Sequence, residues 1–277
     1  MTPKDMAIVY MVAGMSSRFG GKIKQFARVG PNGETLIEYS MNQAIKAGFN
    51  KIIFVVGSMT EKPFKEMFGD SYKGIPVKYA LQDYNPKERD KPWGTVDALC
   101  SAKGIFDCPF IVCNGDDIYG ENTFKMLANH LKNHDYCATA YYFLKNVIPE
   151  KGTTNRGIFC IRDGYVEGLE EVFNIEKSDL AQKGLNEDSP CSMNIFGLNS
   201  DVVQKLDYVL EQFKIKNKGD RKIECLLPTE LSKLIGSGVI KMKIYPSEDR
   251  WFGVTNPEDE EIVRKQIQEL ENSKSQI

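Results

Sequence analysis

Residues 8–26, IVYMVAGMSSRFGGKIKQF, decide how this chain is read. The apolar run Ile8, Val9, Tyr10, Met11, Val12 has the length of a buried strand, and it ends in a segment rich in glycine, hydroxyl groups and positive charge. Gly14, Gly20 and Gly21 let the backbone turn tightly and come close to a ligand. N–H groups exposed in such a turn form a concavity suited to an anion, and Arg18, Lys22 and Lys24 add charge, so phosphate is the expected guest. Two rival loop chemistries fail on spacing. A G-x-x-x-x-G-K-[ST] loop needs glycine where Ser16 stands and a hydroxyl where Ile23 follows Lys22. A dinucleotide fingerprint needs G-x-G, whereas Gly14 is followed by Met15 and Ser16. A solvated turn is the plain alternative, but a turn does not require this concentration of cations directly after a first strand.

Downstream, strands and helices alternate. Thr35-Leu36-Ile37-Glu38 has the form of a capping box, and the helix it opens ends at Ala47-Gly48. KIIFVVG (51–57) reads as a buried strand, 61–68 as a short helix, and PVKYALQ (76–82) as a third strand. This order predicts an α/β fold, a Rossmann-like mixed and mostly parallel sheet flanked by helices. DKPWGTVDALCSAKGIF (90–106) reads as a loop and then a helix whose first N–H groups point outward at Gly94-Thr95. PFIVCNGDDIYG (109–120) is a buried strand running into Asp116 and Asp117, at the edge where open α/β sheets bind ligands. GIFCIRDGYVEGLEEV (157–172) alternates and turns at Asp163-Gly164, a hairpin signal. The basic stretch 214–222 reads as a mobile, solvated loop, 224–238 as a helix and 239–246 as an edge strand.

Composition excludes several classes. Over 277 residues, 36 basic and 38 acidic side chains leave a net charge of -2, so no global field recruits nucleic acid or a membrane. Seven cysteines without a C-x-x-C pair suit free thiols in a reducing compartment, and no stretch approaches a membrane span, so a soluble, cytoplasmic protein is expected. His130 and His134 lie four apart where the sequence predicts a helix but lack the H-E-x-x-H glutamate, which favours a packing role over a metal site.

Taken together, AGMSSRFGGKIKQF (13–26) resembles the signature loop of the sugar-1-phosphate nucleotidylyltransferases, A-G-x-[GS]-x-R followed by K-Q or K-x-L. These enzymes join an NTP to a sugar phosphate and release pyrophosphate. The resemblance spans about residues 6–270 and implies one nucleotidyltransferase domain over 1–277, with a nucleotide-binding half (1–120) and a smaller sugar-binding β region with the C-terminal helix (121–277). It implies that Ala13 and Gly14 support base and ribose, that Arg18 meets the β- and γ-phosphates, and that Lys24 reaches the reacting phosphates. By the same match Gln82, Gly94 and Thr95 contact a pyrimidine, and Asp116 binds Mg²⁺ with Asp117 orienting it. On the sugar side, Gly157 lets the sugar approach backbone, while Glu171 and Asn194 bind its polar groups.

The match departs at two charges. Val172 stands where the family has a lysine, with Lys177, Lys222, Lys243 and Arg250 as possible substitutes, and Gly253 stands where many members have a second metal-binding aspartate, with Thr255 or Asn256 as possible replacements. The resemblance implies UTP and N-acetylglucosamine-1-phosphate as first-choice substrates, with glucose-1-phosphate uridylyl or thymidylyl transfer next. Cytidylyl transfer to a non-sugar phosphate and a catalytically silent sugar-nucleotide sensor stay open.

Overall fold

The computed structural model describes residues 5–14, 19–150, 152–254 and 256–274, so Arg18 and Thr255 lie outside the described residues. The first strand, β1 (Ala7–Met11), is followed by α1 (Leu36–Lys46), β2 (Lys51–Val56), α2 (Glu61–Phe68), β3 (Ser71–Tyr72) and β4 (Ile75–Leu81). Then come α3 (Thr95–Cys100), β5 (Phe110–Asn114), β6 (Asp117–Ile118), α4 (Glu121–Asn133), β7 (Cys137–Phe143) and α5 (Leu144–Val147). The chain closes with β8 (Thr154–Arg162), β9 (Tyr165–Ile175), β10 (Pro190–Leu198), α6 (Ser200–Lys216), α7 (Leu227–Gly236), β11 (Met242–Pro246), β12 (Phe252–Gly253) and α8 (Asp259–Lys274).

Ten strands form one sheet in the order β3-β4-β2-β1-β5-β10-β7-β11-β9-β8, and β6 pairs separately with β12. Strands β4, β2, β1 and β5 run parallel, while β10 joins β5 and β7 antiparallel. Strand order reverses between β1 and β5, which leaves a crevice beyond their carboxyl ends. Alternation along β1 explains the two-sided core. Ile8 and Tyr10 face α1, α2 and α4 through Ile37, Phe64 and Leu127, whereas Ala7 and Val9 face α3, α6 and α7 through Leu99, Leu206 and Leu231.

Local signals explain several boundaries. Thr35 and Glu38 form the reciprocal capping box at the start of α1, and Asp163 (φ 51°) with Gly164 (φ 75°) makes the left-handed turn between β8 and β9. His130 is buried, held by Tyr245 Oη and the Tyr136 carbonyl at 2.9 Å each. All seven cysteines are free. No helix among the described residues is long and apolar enough to cross a membrane.

Three expectations change. β11 is not an edge strand, because β7 lies on one side of it and β9 on the other; a short alternating strand reads alike in either place, and only distant pairing separates them. The helix expected to reach residue 106 ends at Cys100, where Ser101 Oγ bonds back to the Ala98 carbonyl. The basic stretch 214–222 is anchored: Lys214–Lys216 finish α6, and the Arg221 guanidinium binds Asp90 and the carbonyls of Lys87 and Pro86.

Candidate active site

Two glycines bring the ends of β1, β2 and β5 together. A Cβ on Gly57 would stand 2.7 Å from the Ala13 carbonyl oxygen, and one on Gly115 would stand 2.2 Å from Val12 Cγ1. At Gly14, by contrast, an added Cβ meets nothing within 4 Å among the described residues. Gly115 delivers the turn carrying Asp116 and Asp117 against the loop that leaves β1. There Lys24, on a 3-10 turn, forms an ion pair with Asp116, both side chains about three-quarters buried. The two charged groups that the sequence placed 92 positions apart do face each other.

Asp117 points elsewhere, into a cavity of about 1280 Å³. Its carboxylate accepts a bond from Asn114 Nδ2 at 2.9 Å and lies 3.2 Å from the Tyr119 hydroxyl. Burial, and then the charge of Asp116, push its carboxyl up to about 7. The Tyr119 hydroxyl also donates to the Met193 carbonyl at 2.8 Å, tying the acidic turn to β10.

Gly157, Glu171 and Asn194 line the same cavity. Gly157 pairs with Glu171 on β9 and with Ser192 on β10, which fixes the cavity wall on the sheet. Asn194 sits within the register shift of β10 at φ 59°. That left-handed conformation is uncommon outside glycine, asparagine being among the residues that adopt it most readily, and such positions concentrate at functional sites. Partial burial raises the Glu171 carboxyl, with Arg156 pulling it down less strongly.

The expected base-reading residues are differently engaged. Gln82 is buried, and its amide donates both to the Gly94 carbonyl (3.0 Å) and to Asp97 Oδ2 (2.9 Å), leaving its carbonyl oxygen for a ligand. The N–H groups expected to be free at the start of α3 are partly used, since Val96 N donates to the Cys225 carbonyl. Gly94 is required by chain packing: a Cβ there would lie 2.7 Å from the Cys225 oxygen. The Thr95 hydroxyl accepts from Leu227 N at 2.7 Å. Ala13, Gly14, Lys24, Gln82, Gly94, Thr95 and Asp116 are thus not part of the wall that holds Asp117, Gly157, Glu171 and Asn194.

Among the proposed substitutes for the lysine absent at Val172, Lys177 pairs with Glu150, Lys243 lies over the Tyr165 ring, and Lys222 is exposed away from the cavity. Arg250 lines it but is exposed. Arg156, passed over in the sequence, lines it half-buried and lies directly across from Val172. Its signal was present: β8 and β9 read as a hairpin, and counting back from Asp163-Gly164 brings 156 near 172. Gly253 likewise lies opposite Asp117.

A family model described as Nucleotidyl transferase matches residues 22–206. The chain belongs to the nucleotidyl transferase family. No curated protein matches it. Among solved structures, the fold of this nucleotidyl transferase is similar to that of a Bacillus anthracis protein described as a glucose-1-phosphate thymidylyltransferase, solved with sucrose (TM-score 0.67, 14% identity, 95% of each chain). It is also similar to the inositol-1-phosphate CTP transferase of T. maritima (TM-score 0.65, 15% identity, 96% of this chain and 97% of that one). A third is HddC from Yersinia pseudotuberculosis, complexed with GMP-PN (TM-score 0.62, 13% identity, 94% and 98%). At these identities the likeness concerns the fold, and the names of the first two carry different nucleotides.

Proposed function

We propose that this nucleotidyl transferase joins an NTP to a sugar-1-phosphate and releases pyrophosphate. The observation that carries the reading is the Lys24–Asp116 pair at the β1/β5 crevice, backing onto a cavity that holds Asp117, Gly157, Glu171 and Asn194. An oxygen of the sugar phosphate attacks the α-phosphorus of the NTP as the pyrophosphate leaves. The second pKa of a phosphate monoester is about 6, so the nucleophile is already ionised near neutrality and needs no general base. The protein's work is to align two polyanions and offset the charge that develops between them.

In this reading Ala13 and Gly14 border the ribose, Lys24 and Arg18 meet the triphosphate, and Glu171 and Asn194 hold sugar hydroxyls against the Gly157 backbone. Asp116 offers a hard oxygen ligand that suits Mg²⁺ if the substrate completes the coordination, with Asp117 beside it in the orienting place. Among the described residues no cluster of three or more acidic, His or Cys side chains would hold a metal alone. When bound there, Mg²⁺ would neutralise triphosphate charge. Lys24, released from Asp116 as phosphate enters, would then donate to the triphosphate.

UTP is the favoured nucleotide because the Gln82 carbonyl oxygen, with its amide hydrogens committed elsewhere, suits the N3–H of uracil. Thymine offers the same N3–H. N-acetylglucosamine-1-phosphate is the favoured acceptor, with glucose-1-phosphate next. Pyrophosphate release measured across four NTPs and a panel of sugar and alcohol phosphates tests the reading; none with any pair would refute it.

A further inference from the structure

Arg156 lies on β8 directly opposite Val172 on β9, and its side chain lines the large cavity. Arginine carries five N–H donors. Among the described residues its hydrogen bonds go to two backbone carbonyls, Val147 at 2.9 Å and Asn155 at 3.1 Å, and to no carboxylate. Its Nε is shielded from solvent without an acceptor, and so is Nε1 of Trp251, whose ring lies 5.6 Å from the guanidinium carbon. Two orphaned N–H donors side by side in one cavity wall are unusual, because buried donors are nearly always paired. The charge of Glu171 on the neighbouring strand reaches the guanidinium without a hydrogen bond to it among the described residues, so its donors remain available to an anion.

The other cavity cations are differently placed. Lys145 pairs with Asp188 at 2.7 Å, and Arg250 is exposed against the Phe252 ring. Trp251 in turn leads from Arg156 towards the acidic turn: its ring covers the face of Gly253, and Asp117 Oδ1 approaches that same point to 3.0 Å. An acceptor-rich anion on Arg156 would thus sit between the hydroxyl-binding wall and the carboxylates.

Resting on the transfer reaction proposed above, we infer that Arg156 binds the phosphate monoester of the second substrate. The guanidinium turns from its carbonyl partners to present a two-pronged face to phosphate oxygens, a geometry that lysine lacks.

The test uses protein labelled with [¹⁵N]arginine. The Arg156 Nε–H resonance is identified by its absence in Arg156→Lys, and titration with inorganic phosphate or α-D-glucose 1-phosphate is expected to shift it saturably, while glucose alone leaves it in place. In initial-rate assays Arg156→Met is expected to raise KM for the sugar phosphate about tenfold or more, with KM for the NTP nearly unchanged and Arg156→Lys in between. A resonance that ignores both phosphates, or a methionine variant with unaltered KM, overturns the assignment. Wild-type protein that releases no pyrophosphate yet shows the titration removes the proposed reaction and leaves the anion site standing.

Discussion

Gly253 lies opposite Asp117 across the β6–β12 pair, and a Cβ added to it would stand 2.6 Å from the Trp251 ring and 3.0 Å from Asp117 Oδ1. The space beside this glycine is already filled by an indole and a carboxylate. Gly253→Asp is therefore expected to lower stability by about 1–3 kcal/mol through overpacking, without raising turnover. Asp117→Asn is expected to cut kcat/KM about a hundredfold and weaken Mn²⁺ binding. Thermal unfolding, initial rates and electron paramagnetic resonance of Mn²⁺ check these outcomes; a faster Gly253→Asp enzyme would refute the packing argument.

Lys24→Ala and Asp116→Ala are each expected to lower kcat/KM by about 10²–10³. Because the two side chains contact each other, the double variant should lose less than the product of the single losses. Each single variant leaves a three-quarters buried charge without its partner, so it should also lose about 1–3 kcal/mol of stability while remaining folded. Near-wild-type turnover in either single variant would end the assignment.

Asn194 supplies the third test. Its φ of 59° is compatible with glycine, so Asn194→Gly should change stability by less than about 1 kcal/mol while raising KM for the sugar phosphate. Asn194→Val, β-branched in a left-handed conformation, should lose about 1–3 kcal/mol. Chemical denaturation alongside initial rates separates the two; equal KM in the glycine variant would place the side chain outside the substrate.

Arg89 is 3% exposed, stacks 3.6 Å over Trp93, and donates to the carbonyls of Lys91, Pro92, Asp220 and Ile223. It clamps the loop that positions Gly94 to the segment before α7. Arg89→Ala is expected to cost about 2–4 kcal/mol and to raise KM for the NTP more than for the sugar phosphate. Arg89→Lys should recover little, since one ammonium cannot span four carbonyls. Equal effects on both KM values would confine the clamp to stability.

His130 gives a pH dependence. Burial holds its pKa below the ordinary histidine value, so the native state binds this proton less readily than the unfolded chain. The stability it provides is therefore fully present above the unfolded value, about 6.5, and falls as pH drops below it towards the folded pKa. Urea unfolding between pH 5 and 8 should show that fall, and His130→Gln should flatten it. An unchanged slope in the variant would assign the titration elsewhere.

The fold was legible wherever a local signal carried it. The Thr35/Glu38 box, the Asp163-Gly164 turn and the apolar runs of β1, β2 and β5 each specify their own geometry from neighbouring residues. Strand partnership was not legible in the same way, which is why β11 looked like an edge. The Lys24–Asp116 meeting could be read from the resemblance, and Arg18 lies outside the described residues. Gln82, Gly94 and Thr95 illustrate what sequence does not show: a motif fixes their identity, but the segment around Cys225 takes up several of their polar groups. Arg156 escaped notice because its importance depends on a partner strand and on which carbonyls take its donors, and neither is written in its immediate neighbours.

Strand β10 pairs with β7 along one side and, along the other, with β5 through Phe196–Leu198 and with β8 through Cys191 and Ser192, so the backbone behind Asp116 and the backbone behind Gly157 belong to one hydrogen-bonded network. The two halves of the site therefore share one strand instead of meeting across separate sheets. Its reactants would dock onto a stiff bench, and a taste for a new acceptor would come by exchanging side chains on β8, β9 and β10 rather than by altering a hinge.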